Sequence, residues 1–286
     1  MSAPLLRDLR TWRFWRHFTT FLFSAVGFAS AIIGVWGAFA SDFVSDHGLF
    51  LIAASLGLSL IYASVRAWPR PIQQSFSTPN TRVRVIEGDL FKQDRTNLVI
   101  GTCDTFDTAP PTIIDRRSIQ GQFLDRVYNG DLARLDHDLD EALADVPPVG
   151  TITKSGKNRV FPIGTVATLQ QGPTQYFCLA YTNMNAHNNT HGTVDGLWQS
   201  LSALWATVSE LANGAPLAMP VVGGRNARMS GFLPAQDSIR FTVLSFILAS
   251  RTSPVCESLD IIVHPNDFKK LDRLELQAFL SSLRES

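Results

Sequence analysis

Three short stretches carry residue types able to hold a phosphorylated ligand. The first, MPVVGGRNARMSGF at 219–232, sets two glycines ahead of two arginines. Gly223 and Gly224 let a backbone approach a ligand closely and offer successive N–H groups. Arg225 and Arg228 add positive charge on either side of Asn226 and Ala227. A glycine-rich basic turn after a buried strand suits a diphosphate. It lacks the GK[ST] ending of a Walker A loop. An ordinary strand-to-helix turn holds such glycines equally well. The second stretch, EGDLF at 87–91, pairs a Gly88 turn with the Asp89 carboxylate ahead of Leu90. That carboxylate could accept a hydrogen bond from a nucleobase amine, and an Asx-type turn is the plain alternative. The third, RRSIQGQFLD at 116–125, places Gln120, Gly121 and Gln122 before Phe123. Its backbone N–H and amide groups could clasp a ribose or phosphate. The plain alternative is a helix start capped by Ser118.

Other reactive side chains read more simply. Cys103 and Asp104 follow an apolar run, and no partner is placed by sequence to activate the thiol, so a buried strand-end cysteine is the default. His187 and His191 in AHNNTHGT fall short of the three or four ligands a metal needs. They read as a solvated loop, with contact to the distal end of a ligand as the alternative. His264 is an ordinary strand-end histidine or a stacking partner for adenine. The acidic run from Asp131 to Glu141 reads as a solvated helix face. Three scattered cysteines make no disulfide framework and fit a reducing compartment.

These residues need elements to position them. RVRVIE at 82–87 alternates as a strand, and NLVIGTC at 97–103 is a short apolar run typical of a buried one. A helical stretch spans 115–145, interrupted at Gly130. Strands are expected at 149–154, 158–168, 175–182, 216–222 and 258–264. Helices are expected at 194–213, 234–250 and 266–283. Strands alternating with helices predict a three-layer α/β/α sandwich. Ligands of such sheets bind at the carboxyl ends of the strands, which singles out the loops after 87, 103 and 222.

The start of the chain differs in kind. Residues 18–40 and 48–65 hold no charged side chain; the first is long enough to cross a hydrocarbon core of roughly 30 Å, and the second lies near the short end of the roughly 17–25 residues of a spanning helix. The loop between them, SDFVSDH, carries Asp42 and Asp46 and no Lys or Arg. The pair predicts a transmembrane helical hairpin. Arg7, Arg10, Arg13 and Arg16 precede it, and Arg66 and Arg70 follow, so the positive-inside rule puts both termini in the cytoplasm. The arginines before the first span also fit an interfacial helix. Gly27, Ser30, Ala31 and Gly34 on the first span, and Ala54, Ser55, Gly57 and Ser59 on the second, permit close helix packing. Prolines and polar residues at 68–80 read as a linker. The organisation is thus a basic segment at 1–17, two spans within 18–67, the linker, and one α/β domain over 81–286. A composition of 45% hydrophobic and 17% charged residues excludes intrinsic disorder, and a net charge of zero disfavours nucleic acid as a partner.

The order RVIEGDLF, NLVIGTC, SIQGQF and PVVGGRNARMSGF resembles the macro domain, an ADP-ribose-binding α/β fold, over nearly all of 81–286. The match departs after the second strand. Many macro domains carry two asparagines there, one used in hydrolysis, and this chain reads GTCDTFD. A macro-like domain after two membrane spans resembles, more narrowly, the membrane-anchored effectors of bacterial Thoeris anti-phage systems. The resemblance implies no catalytic residue, no cofactor and no metal. The implied ligand is an ADP-ribose derivative, histidine-linked ADP-ribose, made by a TIR-domain enzyme. The implied consequence is homo-oligomerisation and disruption of the bacterial inner membrane, ending in cell death or arrest. It further implies that Asp89 meets the adenine. Gln120, Gly121 and Gln122 then meet phosphate or ribose, and Gly223, Gly224, Arg225, Asn226 and Arg228 cradle the diphosphate. Leu90, Cys103, Asp104, Phe123 and Ala227 complete the expected ligand-binding set. The rival expectation is a membrane-tethered ADP-ribosyl hydrolase with Asp104 as its base.

Overall fold

The computed structural model describes residues 12–68, 71–223, 231 and 233–284, apart from the side chain of Arg13. The chain divides into two compact units, Met1–Pro71 with Asp272–Leu274, and Ile72–Leu271 with Glu275–Ser286.

The first unit holds α1 (Trp12–Phe39), α2 (Ser41–Asp46) and α3 (Gly48–Ala67). Phe14–Phe39 and Gly48–Ala67 are long and apolar enough to cross a membrane. The expected loop between them is instead the short helix α2. Phe21 meets Tyr62 edge-on at 6.4 Å and lies under the Arg66 guanidinium at 5.5 Å, which ties α1 to α3. The small residues do not serve this contact as a set: a Cβ added at Gly27, Gly34 or Gly57 would meet nothing within 4 Å. Most of the basic segment, residues 1–11, lies outside the described residues, and from Trp12 it is helical.

The second unit is built on a sheet of order β1-β2-β10-β9-β3-β7-β6, with β8 paired to β7. The strands are β1 (Ile72–Ser77), β2 (Asn80–Glu87), β3 (Asn97–Cys103), β6 (Val166–Gln171), β7 (Thr174–Met184), β8 (Thr190–His191), β9 (Leu217–Pro220) and β10 (Ser258–Val263). The five from β2 to β7 in that order run parallel, and β1, β6 and β8 pair antiparallel at the flanks. Alternation along each strand feeds two cores. Val99, Phe177 and Leu179 face a core shared with α6 (Val194–Leu211) and α7 (Ala235–Thr252). Leu98, Ile100 and Cys178 face the other, shared with α4 (Ile119–Val127) and α5 (Leu132–Ala142). This is the three-layer sandwich the alternation predicts.

Several boundaries move. The expected linker at 68–80 contains β1, because Pro71 and Pro79 bracket the strand rather than interrupt it, and Ile72 and Phe76 turn into the core. The long helix at 115–145 breaks where Asn129 and Gly130 both take positive φ, 54° and 79°. The strand expected at 149–154 shrinks to β4 (Gly150–Thr151), paired with β5 (Arg159–Val160) away from the main sheet. The strand expected at 158–168 splits into β5 and β6 around Pro162 and Gly164, whose φ is 95°. The last helix splits into α8 (Pro265–Phe268) and α9 (Arg273–Ser282).

Candidate functional site

A cleft of about 600 Å³ opens at the carboxyl ends of the parallel strands, as expected of an open α/β sheet. Its floor is Gly101–Cys103 of β3 and Tyr181–Thr182 of β7. One wall is the segment 113–118 leading into α4, with Gln120 and Gln122. The opposite walls come from Pro220–Val222, His264 and the β7–β8 loop at Asn188–Thr190.

The register explains the floor. Thr102 pairs with Ala180, but Cys103 pairs with Thr182, so Tyr181 is the extra residue of a bulge. Bulges re-aim side chains at strand ends. The Tyr181 ring crosses β3 where Gly101 has no side chain: a Cβ there would sit 2.6 Å from Tyr181 Cε1. Burial pushes the Tyr181 hydroxyl up to about 12, against the lowering effect of a hydrogen bond from the Gly223 backbone. Gly223 takes φ 75°, which glycine alone adopts freely.

The α4 wall is fastened from behind. Ser118 Oγ caps the helix by accepting from Gly121 N at 3.0 Å. Gln120 Nε2 donates to the Asp107 carbonyl, and Gln122 Nε2 donates to the Arg117 carbonyl at 3.1 Å. Asp107 is buried, and its carboxylate accepts from Lys154 Nζ at 2.6 Å, Thr105 Oγ1 at 2.5 Å and Lys157 N at 2.8 Å. Neither Lys154 nor Asp107 exposes more than 1% of its side chain.

The structure brings Cys103, Gln120 and Gln122 to the cleft, with Gly121 packed behind them. Gly223 follows Val222 of the wall. It does not bring Asp89, Leu90, Asp104 or Phe123 to the lining. Asp89 caps the 3-10 turn Leu90–Lys92, accepting from Phe91 N at 3.0 Å, and pairs with Arg126 at 2.8 Å. Burial opposes its charge, but those hydrogen bonds outweigh it and hold its pKa below the usual carboxylate range. Leu90 and Phe123 are apolar core, Phe123 meeting Tyr128 edge-on and Tyr176 at a tilt. Asp104 is buried and accepts from Asn183 Nδ2 at 3.1 Å and Met184 N at 2.8 Å, which staples β3 to β7. Desolvation raises its pKa despite those bonds. Gly224, Arg225, Asn226, Ala227 and Arg228 lie outside the described residues.

Tyr181, Thr182, Met184 and the Asn188–Thr190 wall have no counterpart among the expected site residues. The carboxyl-end rule, applied to the strand at 175–182 as it was to its neighbours, points to them.

Among the described residues that line the cleft the groups on offer are hydrogen-bonding ones, and the thiol of Cys103 is buried. Burial raises the Cys103 thiol pKa, and it pushes Cys178 and Cys256 up to about 12. All three are buried free thiols. Native protein will therefore resist iodoacetamide at pH 8, and three thiols per chain will react in guanidinium. Modification of the native chain at Cys103 would show that the cleft floor opens. Among the described residues no group of three His, Cys, Asp or Glu can hold a metal ion.

Residues 83–264, more than half of the chain, match the family described as Thoeris protein ThsA, Macro domain. No curated protein matches. Among solved structures, a mutant macrodomain of Oceanobacillus iheyensis is similar with a TM-score of 0.50 and 11% identity, covering 74% of this chain and 98% of that one. The macrodomain of the same organism with ADP gives 0.49 and 14%, over 76% and 98%. The macrodomain of Mycobacterium tuberculosis DarG gives 0.42 and 17%, over 65% and 99%. At these identities the first likeness speaks for the fold alone. With the sheet, the cleft at its strand ends and the family match in agreement, the chain belongs to the macro-domain family of the Thoeris protein ThsA.

Proposed function

We propose that this protein is a ligand-gated membrane effector of anti-phage defence. The macro domain binds an ADP-ribose derivative, histidine-linked ADP-ribose made by a TIR-domain enzyme, and does not turn it over. The hairpin crosses the bacterial inner membrane with both termini and the macro domain in the cytoplasm, as the arginine distribution favours. A ligand that binds one assembly state more tightly than another shifts the population toward it. Here that shift is homo-oligomerisation, clustered hairpins disrupt the bilayer, and the cell dies or arrests. In this reading Gln120 and Gln122 at the start of α4 meet phosphate or ribose, the glycine-arginine stretch that begins at Gly223 cradles the diphosphate, and the adenine lies toward His264.

The observation that carries this reading is a hydrogen-bonding cleft of about 600 Å³, in a ThsA macro-domain family member, on a chain with two membrane-length helices. That volume suits a small ligand. The binding-only role is supported by Asp104. The candidate base of a hydrolase is engaged by Asn183 and Met184 and stands off the cleft lining.

The test is calorimetric titration of the full chain in detergent with ADP-ribose and with histidine-linked ADP-ribose, recovering the ligand for mass analysis. Tight binding with intact ligand is expected. Cleaved ligand, lost in Asp104→Ala, would establish the hydrolase instead. No heat with either compound would overturn the reading.

A further inference from the structure

A sealed ion pair stands behind the cleft without lining it. Lys154 and Asp107 are shut off from water, and neither belongs to the cleft wall. A buried pair of this kind is often no more stable than apolar side chains of the same volume, so stability alone does not account for it. The Asp107 carboxylate is held on both oxygens. Oδ2 accepts from Lys154 Nζ at 2.6 Å and Thr105 Oγ1 at 2.5 Å, and Oδ1 accepts from Lys157 N at 2.8 Å. Lys154 and Lys157 sit at the tip of the hairpin between β4 and β5, which forms a two-stranded sheet of its own. Ile152 N closes that tip by donating to the Asn158 carbonyl at 2.9 Å. Phe161 N ties the base of the hairpin to the segment after β3 by donating to the Asp104 carbonyl at 2.8 Å.

Two contacts lead from the hairpin tip to the cleft. The carbonyl of Asp107 accepts from Gln120 Nε2, and Gln120 lines the cleft. Gly156, at φ 91°, lies so close to Asp107 and Ile113 that a Cβ there would collide with Asp107 Oδ1 and Ile113 Cδ1. Ile113 also lines the cleft. A long amide side chain that must be ordered by the ligand costs affinity, and one already fixed by the protein does not. The fixing of Gln120 therefore depends on where the hairpin tip holds Asp107.

We infer that Lys154 and Asp107 are positioning residues for ligand binding, and that the β4–β5 hairpin is a strap that holds Gln120 in its binding orientation from behind the wall. Neither charged side chain touches the ligand. Their effect on affinity passes through Gln120. This inference rests on the proposed binding of an ADP-ribose derivative.

The experiment is a double-mutant cycle read by titration of ADP-ribose into the full chain in detergent, at a temperature below the melt of every variant. Lys154→Met and Gln120→Ala each weaken ADP-ribose about tenfold, the worth of one hydrogen bond. In the Gln120→Ala background, Lys154→Met changes the affinity by less than about twofold, because the contact it acts through is already gone. Gly156→Ala gives a second route, since it displaces the strap without removing a charge. It weakens ADP-ribose in wild type and does nothing further once Gln120 is alanine. Gly150→Ala, in the same hairpin where a Cβ meets nothing within 4 Å, leaves the affinity unchanged. Losses that add independently of Gln120, or no loss from either strap variant, would overturn the positioning role and spare the proposed function. Wild type that binds no ADP-ribose would overturn the proposed function and this role with it.

Discussion

Lys154→Met will lower the midpoint of thermal unfolding by roughly 10 °C, the counterpart of about 3–5 kcal/mol in a domain of this size. The Lys154 ammonium lies 2.6 Å from Asp107 Oδ2, and the pair is sealed from water. Removing the cation leaves a carboxylate with the Thr105 hydroxyl, the Lys157 backbone N–H and the weak Cys103 thiol to offset the lost hydration. The cost arises from that stranded charge rather than from the value of the pair. Asp107→Asn with Lys154→Met will therefore recover much of the loss, since a neutral amide needs no counter-charge. A circular-dichroism melt of the three variants is the check. A double variant as unstable as Lys154→Met alone would locate the effect in packing of the lysine stem. Because the Asp107 carbonyl also holds Gln120, the single variant will loosen the cleft wall as it loosens the fold.

Gly121→Val will abolish ligand binding and destabilise the domain by about 1–3 kcal/mol or more. A Cβ at this position falls 2.5 Å from the Asp115 carbonyl oxygen, 2.6 Å from Arg116 Cα and 2.7 Å from the Arg116 carbonyl oxygen. All three are backbone atoms, so no side chain can swing away. Relief requires moving α4 or the 115–118 segment, both of which wall the cleft, and breaks the Gly121–Ser118 cap. The control is Gly150→Ala, where a Cβ meets nothing within 4 Å. It will leave the melt and the titration unchanged. Wild-type affinity in Gly121→Val would mean that ligand does not use this wall.

How much of this was legible in the sequence depended on whether the signal was local. The apolar runs at 18–40 and 48–65 could be read directly, because two helices long enough to cross a membrane are a matter of length and composition. NLVIGTC was read to the residue as β3, because its short apolar run between polar neighbours leaves little freedom in its ends. Ser118 caps the helix that follows, by a contact reaching no further than three residues. β1 was hidden: its two inward residues stand four apart, and the flanking prolines spoke for a linker until β2 gave it a partner.

The site was legible in outline, since the carboxyl-end rule led to the segment after β3, the α4 start and the turn at Gly223. Its individual members were not. Asp89 carries the type of an adenine acceptor, yet Arg126, 37 residues away, takes its carboxylate. Asp104 carries the type of a base, yet Asn183 and Met184, about 80 residues on, claim it. Tyr181 enters the cleft because a bulge offsets β7 against β3 and Gly101 leaves room for its ring. Nothing local pairs Asp107 with Lys154, 47 residues on, until folding buries each against the other. The sequence by itself determined the membrane-length helices, the α/β alternation and the edge of the sheet where the cleft opens, because these follow from composition and periodicity along the chain. Only the tertiary structure decided which polar groups are spent on the fold and which line the cleft, because that accounting depends on partners brought together from distant segments.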